Sequence, residues 1–272
     1  MTQPVGPELT STRSPRVKSV RQLSKRALRQ RSRSFLAEGP QAAGEALATP
    51  GVVTELFVTA PAQARYGELV AAAAGQAAPV HLVSGEVMAE LAQTVTPQGI
   101  LAVCRFIDVP LSRITAAAPR LAVVLANVRD PGNAGTVLRT ADAAGAQGVI
   151  FSPGSVDPYN SKCVRASAGS LFHVPVVMGT PLPAAVAALR DAGLRVLAAD
   201  GSAPRTLDDL GADGLLRRPT VWLFGNEAWG MPGDLLSLAD EAVAVPIYGR
   251  AESLNLAAAA AVCLYASARA QC

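Results

Sequence analysis

What this chain lacks narrows it before any motif is read. Of its 272 residues only four are cysteine, at positions 104, 163, 263 and 272, and only two are histidine. No C-x-x-C pair occurs, which argues against both a disulfide framework and a zinc site. The cysteines read instead as small buried apolar residues or surface thiols, and no metal is expected. Neither G-x-G-x-x-G nor a P-loop pattern is present, which counts against a Rossmann-type nucleotide enzyme. The N-terminus has no apolar signal core, and the Ala-rich run 256–264 is short and follows Asn255. Nothing is therefore expected to span or anchor to a membrane, and a reducing cytoplasm is the expected compartment. Charged residues make up 17% and hydrophobic ones 50%. At roughly 100–200 residues per domain, that composition fits about two domains with real cores.

Charge is scarce but unevenly spread. Nine of the 24 basic residues fall between Arg13 and Arg33, while Glu8 is the only acid before Glu38. With +3 overall and +8 in the first 37 residues, the remainder carries −5. A basic stretch on a mildly acidic body is the pattern of a phosphate-binding arm, and a solvated tail is the blander reading. Residues 1–15, rich in Pro, Ser and Thr, are expected to be disordered. The string 17–30 fits a basic helix with Val17, Val20, Leu23, Ala27 and Leu28 on one side. Arg21, Lys25, Arg26, Arg29 and Arg33 are its candidate RNA-binding residues.

Along the rest of the first half, strands at 34–38, 52–58, 80–83 and 100–106 alternate with helices at 41–48, 66–74 and 86–93. The pattern predicts a small α/β domain over residues 16–107. Pro110 and Pro119 bracket a linker, 108–120. A second α/β series fills 121–272. It opens with the unbroken apolar run 121–126, which reads as a buried parallel strand. A helix over 135–145 follows, then strands at 148–151, 171–177, 194–199, 220–224 and 242–246.

Three segments of this second half carry chemistry. The first, Asn127-Val-Arg-Asp-Pro-Gly-Asn133-Ala-Gly-Thr-Val-Leu-Arg139, places a turn between a buried strand and a helix N-terminus, whose free N–H groups and dipole favour anions. It also reads as a good turn followed by a surface arginine. The second, Leu223-Phe-Gly225-Asn226-Glu227-Ala-Trp-Gly-Met231, puts glycine and a carboxylate just past a strand's C-terminal end. Open α/β sheets place their sites there. The third, Pro246-Ile247-Tyr-Gly-Arg-Ala-Glu-Ser253-Leu254-Asn255-Leu256, leads into a helix of small residues. Ser253 is its natural N-cap, and an amide such as Asn255 buried at an apolar helix start needs partners.

Taken together, in this order, the three segments resemble the three motifs of the SpoU/TrmH family in the SPOUT superfamily, over about residues 120–268. The first half, with Phe35-Leu-Ala-Glu-Gly-Pro40 before a Glu-Ala-Leu helix, resembles the ribosomal-protein-type RNA-binding domain that precedes such catalytic domains. The two-domain plan is closer to the ribosomal RNA enzymes, the thiostrepton-resistance methyltransferases included, than to single-domain tRNA enzymes. Ala228 and Met231 stand where the family has Gly and Leu, and Leu256-Ala257 where it has Val-Ser. No polar functional group is lost.

The resemblance implies a C-terminal α/β domain with a parallel sheet and a deep trefoil knot, a homodimer, and S-adenosylmethionine as methyl donor. Asn133, Arg139, Glu227, Ser253 and Asn255 fall on the family's catalytic positions. Ala198, Ala199, Asp200, Leu223, Gly225, Asn226, Ile247, Ser253, Leu254 and Leu256 would hold the cofactor. The implied reaction is 2′-O-methylation of a ribose in structured RNA, with 23S rRNA the expected substrate. A tRNA substrate and a non-enzymatic RNA-binding or ribosome-assembly role are the alternatives. Arginine, with a pKa above about 12, is a poor base, so Arg139 is expected to act electrostatically on the target phosphate and ribose.

Overall fold

The computed structural model describes residues 7–226 and 230–272. They form two compact units, one of Met1–Ile107 with Tyr159–Phe172, the other of Asp108–Pro158 with His173–Cys272. Among the described residues no helix is long and apolar enough to cross a membrane.

The first unit is built on β1 (Ser34–Glu38), β2 (Val53–Val58), β3 (Val80–Leu82) and β4 (Ile100–Arg105), in the order β1-β4-β2-β3. β4 runs antiparallel to β1 and β2, and β3 is parallel to β2. The N-terminal segment is ordered from the first described residues: the Leu9 amide donates to Leu82 O at 2.8 Å, and Ser14 caps the helix Pro15–Arg21. Over residues 7–15 that departs from the expected disorder; the rest of that expectation, residues 1–6, lies outside the described residues. The single basic helix expected at 17–30 is also broken, into Pro15–Arg21, a 3-10 turn at Gln22–Ser24, and Arg26–Ser32. The break lets Val17, Val20 and Leu23 reach the core beside Leu36, Phe57 and Leu101. Arg29 seals it from inside, its guanidinium donating to Leu23 O at 2.9 Å and Ser24 O at 2.8 Å.

The excursion Tyr159–Phe172 completes this unit through an aromatic cluster. Tyr159 lies 4.7 Å from Phe35 and 3.8 Å from Phe106 between ring centroids, and its hydroxyl accepts from the Ile107 amide at 2.8 Å. The strand expected at 171–177 is accordingly split. A 3-10 turn, Ser170–Phe172, stacks Phe172 on Phe35, and only Val176–Met178 is extended.

The second unit is a six-stranded, all-parallel sheet of β5 (Leu121–Leu125), β6 (Val149–Phe151), β7 (Val176–Met178), β8 (Arg195–Ala199), β9 (Thr220–Phe224) and β10 (Glu241–Val243). Their order is β10-β8-β9-β5-β6-β7. The chain steps outward from β5 to β7, then returns to the other side, where β9 slots between β8 and β5. β5 and β9 are buried on both faces, as their continuous apolar runs require. Residues 108–120, expected as a linker, belong to this unit. They hold the helix Leu111–Thr115, whose Ile114 is buried in the core. Two helices matter for the site, Pro131–Ala143 and Leu256–Gln271, and they pack against each other. The second is also fastened to the sheet where fully buried Trp222 donates from Nε1 to Ser267 Oγ at 2.9 Å.

Candidate functional site

The reversal of strand order creates a crevice at the C-terminal ends of β8, β9 and β10, where open α/β sheets bind ligands. A cavity of about 510 Å³ lies there, walled by the chain after each of these strands and by residues 252–256. Of the expected cofactor contacts, Ala199, Asp200, Gly225, Asn226, Ile247, Ser253, Leu254 and Leu256 line it, and Asn255 joins them. Ala198 and Leu223 do not. They are fully buried within β8 and β9, one residue behind the rim.

Gly225 is required by close approach of backbone. A Cβ there would sit 2.6 Å from Gly230 O, because the Asn226 amide donates to Gly230 O at 2.9 Å and the Gly230 amide returns the bond at 3.0 Å. The buried Asn226 side chain donates from Nδ2 to Asn127 O at 2.8 Å, locking the rim of β9 to that of β5. Asn127 itself is left-handed at φ 58°, a conformation asparagine tolerates better than most residues. Glu227 lies outside the described residues.

The third segment departs from the sequence expectation in one useful way. The helix begins at Leu256, and Asn255, not Ser253, is its N-cap: Oδ1 accepts from the amides of Ala257 at 2.9 Å and Ala258 at 3.4 Å. Asn255 is exposed rather than buried. With its oxygen committed to the cap, Nδ2 turns to Asn133 Oδ1 at 3.1 Å. Ser253, freed from capping, stands exposed at the cavity wall. Asp130 caps the partner helix, its Oδ1 accepting from the Asn133 amide at 2.7 Å. Arg139 is exposed on that helix and has no ion-pair partner among the described residues. It does not line the cavity.

Asp200 offers a carboxylate at the wall, with Oδ1 taken by the Ser202 amide at 2.8 Å and hydroxyl at 2.7 Å. On the loop past β10 the Tyr248 hydroxyl donates to Asp208 Oδ2 at 2.9 Å, and that bond holds the phenol above its ordinary pKa. Sequence reasoning missed Val243, Val245, Gly201 and Glu252 as lining residues. It also missed Asn127 as the residue that couples two rims. Asn127 was legible as an asparagine at a strand exit; the valines carry no signal that separates them from core.

The basic candidates of the first unit divide. Lys25 and Arg26 are exposed, and Arg21 is exposed but ion-paired with Glu90. Arg33 lies 4.6 Å over the Phe106 ring. Arg29, at 3% exposure, serves the fold and is withdrawn from the RNA-binding set.

An all-parallel sheet with a cavity this size at its C-terminal edge, narrowed by an obligatory glycine, defines a cofactor-binding α/β domain. Comparison with known proteins gives the family. Residues 120–265 match the SpoU rRNA Methylase family, and residues 14–102 match the MRM3-like substrate binding domain. The chain belongs to the SpoU rRNA methylase family. It is 35% identical to an uncharacterized tRNA/rRNA methyltransferase of Synechocystis, over 97% of this chain and 94% of that one. It is 33% identical to the 23S rRNA (guanosine(2553)-2′-O)-methyltransferase RlmP of Bacillus subtilis, over 95% and 98%. Among solved structures, the AdoMet-bound rRNA methyltransferase of Sinorhizobium meliloti aligns with a TM-score of 0.83 at 32% identity, covering 97% of both chains.

Proposed function

We propose that this protein transfers a methyl group from S-adenosylmethionine to a ribose 2′-hydroxyl of large-subunit ribosomal RNA. The observation that carries the reading is the cavity in which the family's second and third motifs meet at the ends of β8, β9 and β10. Its volume lies in the range of small-molecule sites, roughly 300–1,000 Å³. Its narrow backbone cradle at Gly225, the Asp200 carboxylate and the apolar side chains of Ile247 and Leu256 suit a ligand with a ribose, an adenine and a charged tail. The bound cofactor supplies a methyl group on a sulfonium, already activated for displacement, so the reading assigns no metal.

The chain's own residues do the rest. Asp200 would accept from cofactor hydroxyls, and the loops at Gly225 and Ile247 would enclose the adenosine. The Asn133–Asn255 bond fixes the helix start beside Ser253 at the cavity wall. Arg139 carries an unneutralised guanidinium suited to the target phosphate and to the charge that develops on the 2′-oxygen as its proton leaves for a phosphate oxygen. Positioning hydroxyl and methyl in line supplies the remaining acceleration. Exposed Lys25 and Arg26, with the first unit, hold the RNA backbone. Val262 and Tyr265, 41% and 47% exposed on a final helix rich in alanine, fit the seam of a homodimer. The trefoil knot would form where the chain after Leu223 threads through a loop, and the cytoplasm, where ribosomal RNA is found, is the compartment.

The test is incubation with methyl-labelled S-adenosylmethionine and, separately, unmodified large-subunit rRNA, small-subunit rRNA and tRNA. Alkali-resistant label in large-subunit rRNA is expected, since a 2′-O-methyl blocks backbone cleavage. Label confined to tRNA would replace the substrate, and no label in any RNA would overturn the activity.

A further inference from the structure

A second concavity lies at the opposite pole of the methyltransferase unit. It measures about 580 Å³ and is lined by Arg120, Arg217 and Arg269, with Gln271 and Cys272. Arg120 immediately precedes β5, and Arg217 ends a 3-10 turn, Leu215–Arg217, three residues before β9. The cofactor cavity lies at the other end of β9, about 16 Å away at ~3.3 Å per residue.

The three guanidinium groups are exposed, and no described carboxylate forms an ion pair with any of them. By contrast, Arg190, Arg195 and Arg205 of the same unit are each neutralised by Asp or Glu. The floor is held in place by hydrogen bonds. Arg120 Nη2 donates to Arg217 O at 3.3 Å, and Gln271 Nε2 donates to Arg218 O at 2.8 Å, tying the final helix to the 3-10 turn. Even against a terminal carboxylate at Cys272, three guanidinium groups leave the hollow positive. Planar guanidinium forks match phosphate oxygens better than any neutral ligand.

We infer that this arginine-lined hollow is a second binding site for the RNA phosphodiester backbone, remote from the methyl-transfer site. The inference rests on the activity proposed above. The site adds affinity and orientation without reading sequence, as phosphate contacts do. A large folded RNA can engage both poles of the unit, while a short stem cannot.

The experiment compares wild type with Arg217→Ser/Arg269→Ser, and with a control pair, Arg113→Ser/Arg190→Ser, that removes two exposed charges elsewhere on the same unit. Affinity for large-subunit rRNA is measured from low to moderate salt, S-adenosylmethionine binding by calorimetry, and methyl transfer by label. The hollow variant is expected to bind rRNA several-fold more weakly, with a log–log salt slope shallower by about 1.5. Its cofactor affinity should be unchanged, and the control should keep the wild-type slope. An unchanged slope in the hollow variant overturns the proposal, as does equal flattening in the control, which would make it a net-charge effect. Wild-type protein that binds rRNA but leaves it unlabelled would instead sink the activity and spare the site.

Discussion

Asn255 Nδ2 donates to Asn133 Oδ1 at 3.1 Å, so the amide that caps the final helix also grips the first turn of the helix carrying Arg139. The two functions are separable. Asn255→Ala loses cap and bridge, and should cost about 1 kcal/mol, which is what an N-cap typically contributes. Asn255→Asp keeps the cap oxygen and loses the donor. Thermal melts should place the Asp variant near wild type and the Ala variant a few degrees lower, while methyl transfer falls in both. Equal melting of the two variants would refute the cap assignment.

Gly225→Ala tests the cradle. Its Cβ would meet Gly230 O at 2.6 Å, Gly230 C at 2.9 Å and Met231 N at 3.1 Å, all backbone, with no flexible side chain to yield. Calorimetry should show cofactor affinity reduced at least tenfold, and circular dichroism an intact sheet. Wild-type affinity would mean that the rim relaxes freely.

Arg139 stands outside the cavity, so its removal should divide binding from chemistry. Arg139→Ala is expected to leave the cofactor Kd unchanged and to lower methyl transfer by about a hundredfold or more, the scale of a lost electrostatic stabiliser. Turnover close to wild type would remove Arg139 from the mechanism.

Cysteine reactivity provides a check on the cores. Cys104, Cys163 and Cys263 are buried, and Cys272 is exposed. Burial pushes the Cys263 thiol up to about 12 and raises Cys104 further, so neither offers thiolate near neutrality. A chromogenic disulfide reagent should titrate one thiol per native chain quickly and the other three only in denaturant. A second fast thiol would show that one core opens.

How much could be read in advance depended on whether a residue's partner was near in sequence. The apolar run 121–125 specified a buried strand by itself, and the glycine and asparagine after β9 marked a ligand edge. Ser253 resembled a cap because capping preferences are local, yet the helix starts two residues later, where Asn255 satisfies its amides and reaches Asn133, 122 residues away. Arg29 resembled a phosphate ligand because its burial depends on carbonyls exposed by a helix break that periodicity does not foretell. The same break changes how the basic arm must be tested. Truncation through Arg33 would strip Val17, Val20 and Leu23 from a core, so point substitutions at Lys25 and Arg26 are the sound probe.

The placement of β9 and of Tyr159 has a consequence for biosynthesis. Neither unit is contiguous in the chain: the first awaits residues 159–172, and the sheet of the second keeps a gap between β5 and β8 until residue 224 has been made. Until then β5 and β8 present unpaired edges, the kind that invite mispairing. A ribosome-bound chain therefore cannot complete its first unit before residue 172 is made, and its second sheet closes only after residue 224. Both depend on pairings of long sequence separation, which is the slow regime of folding.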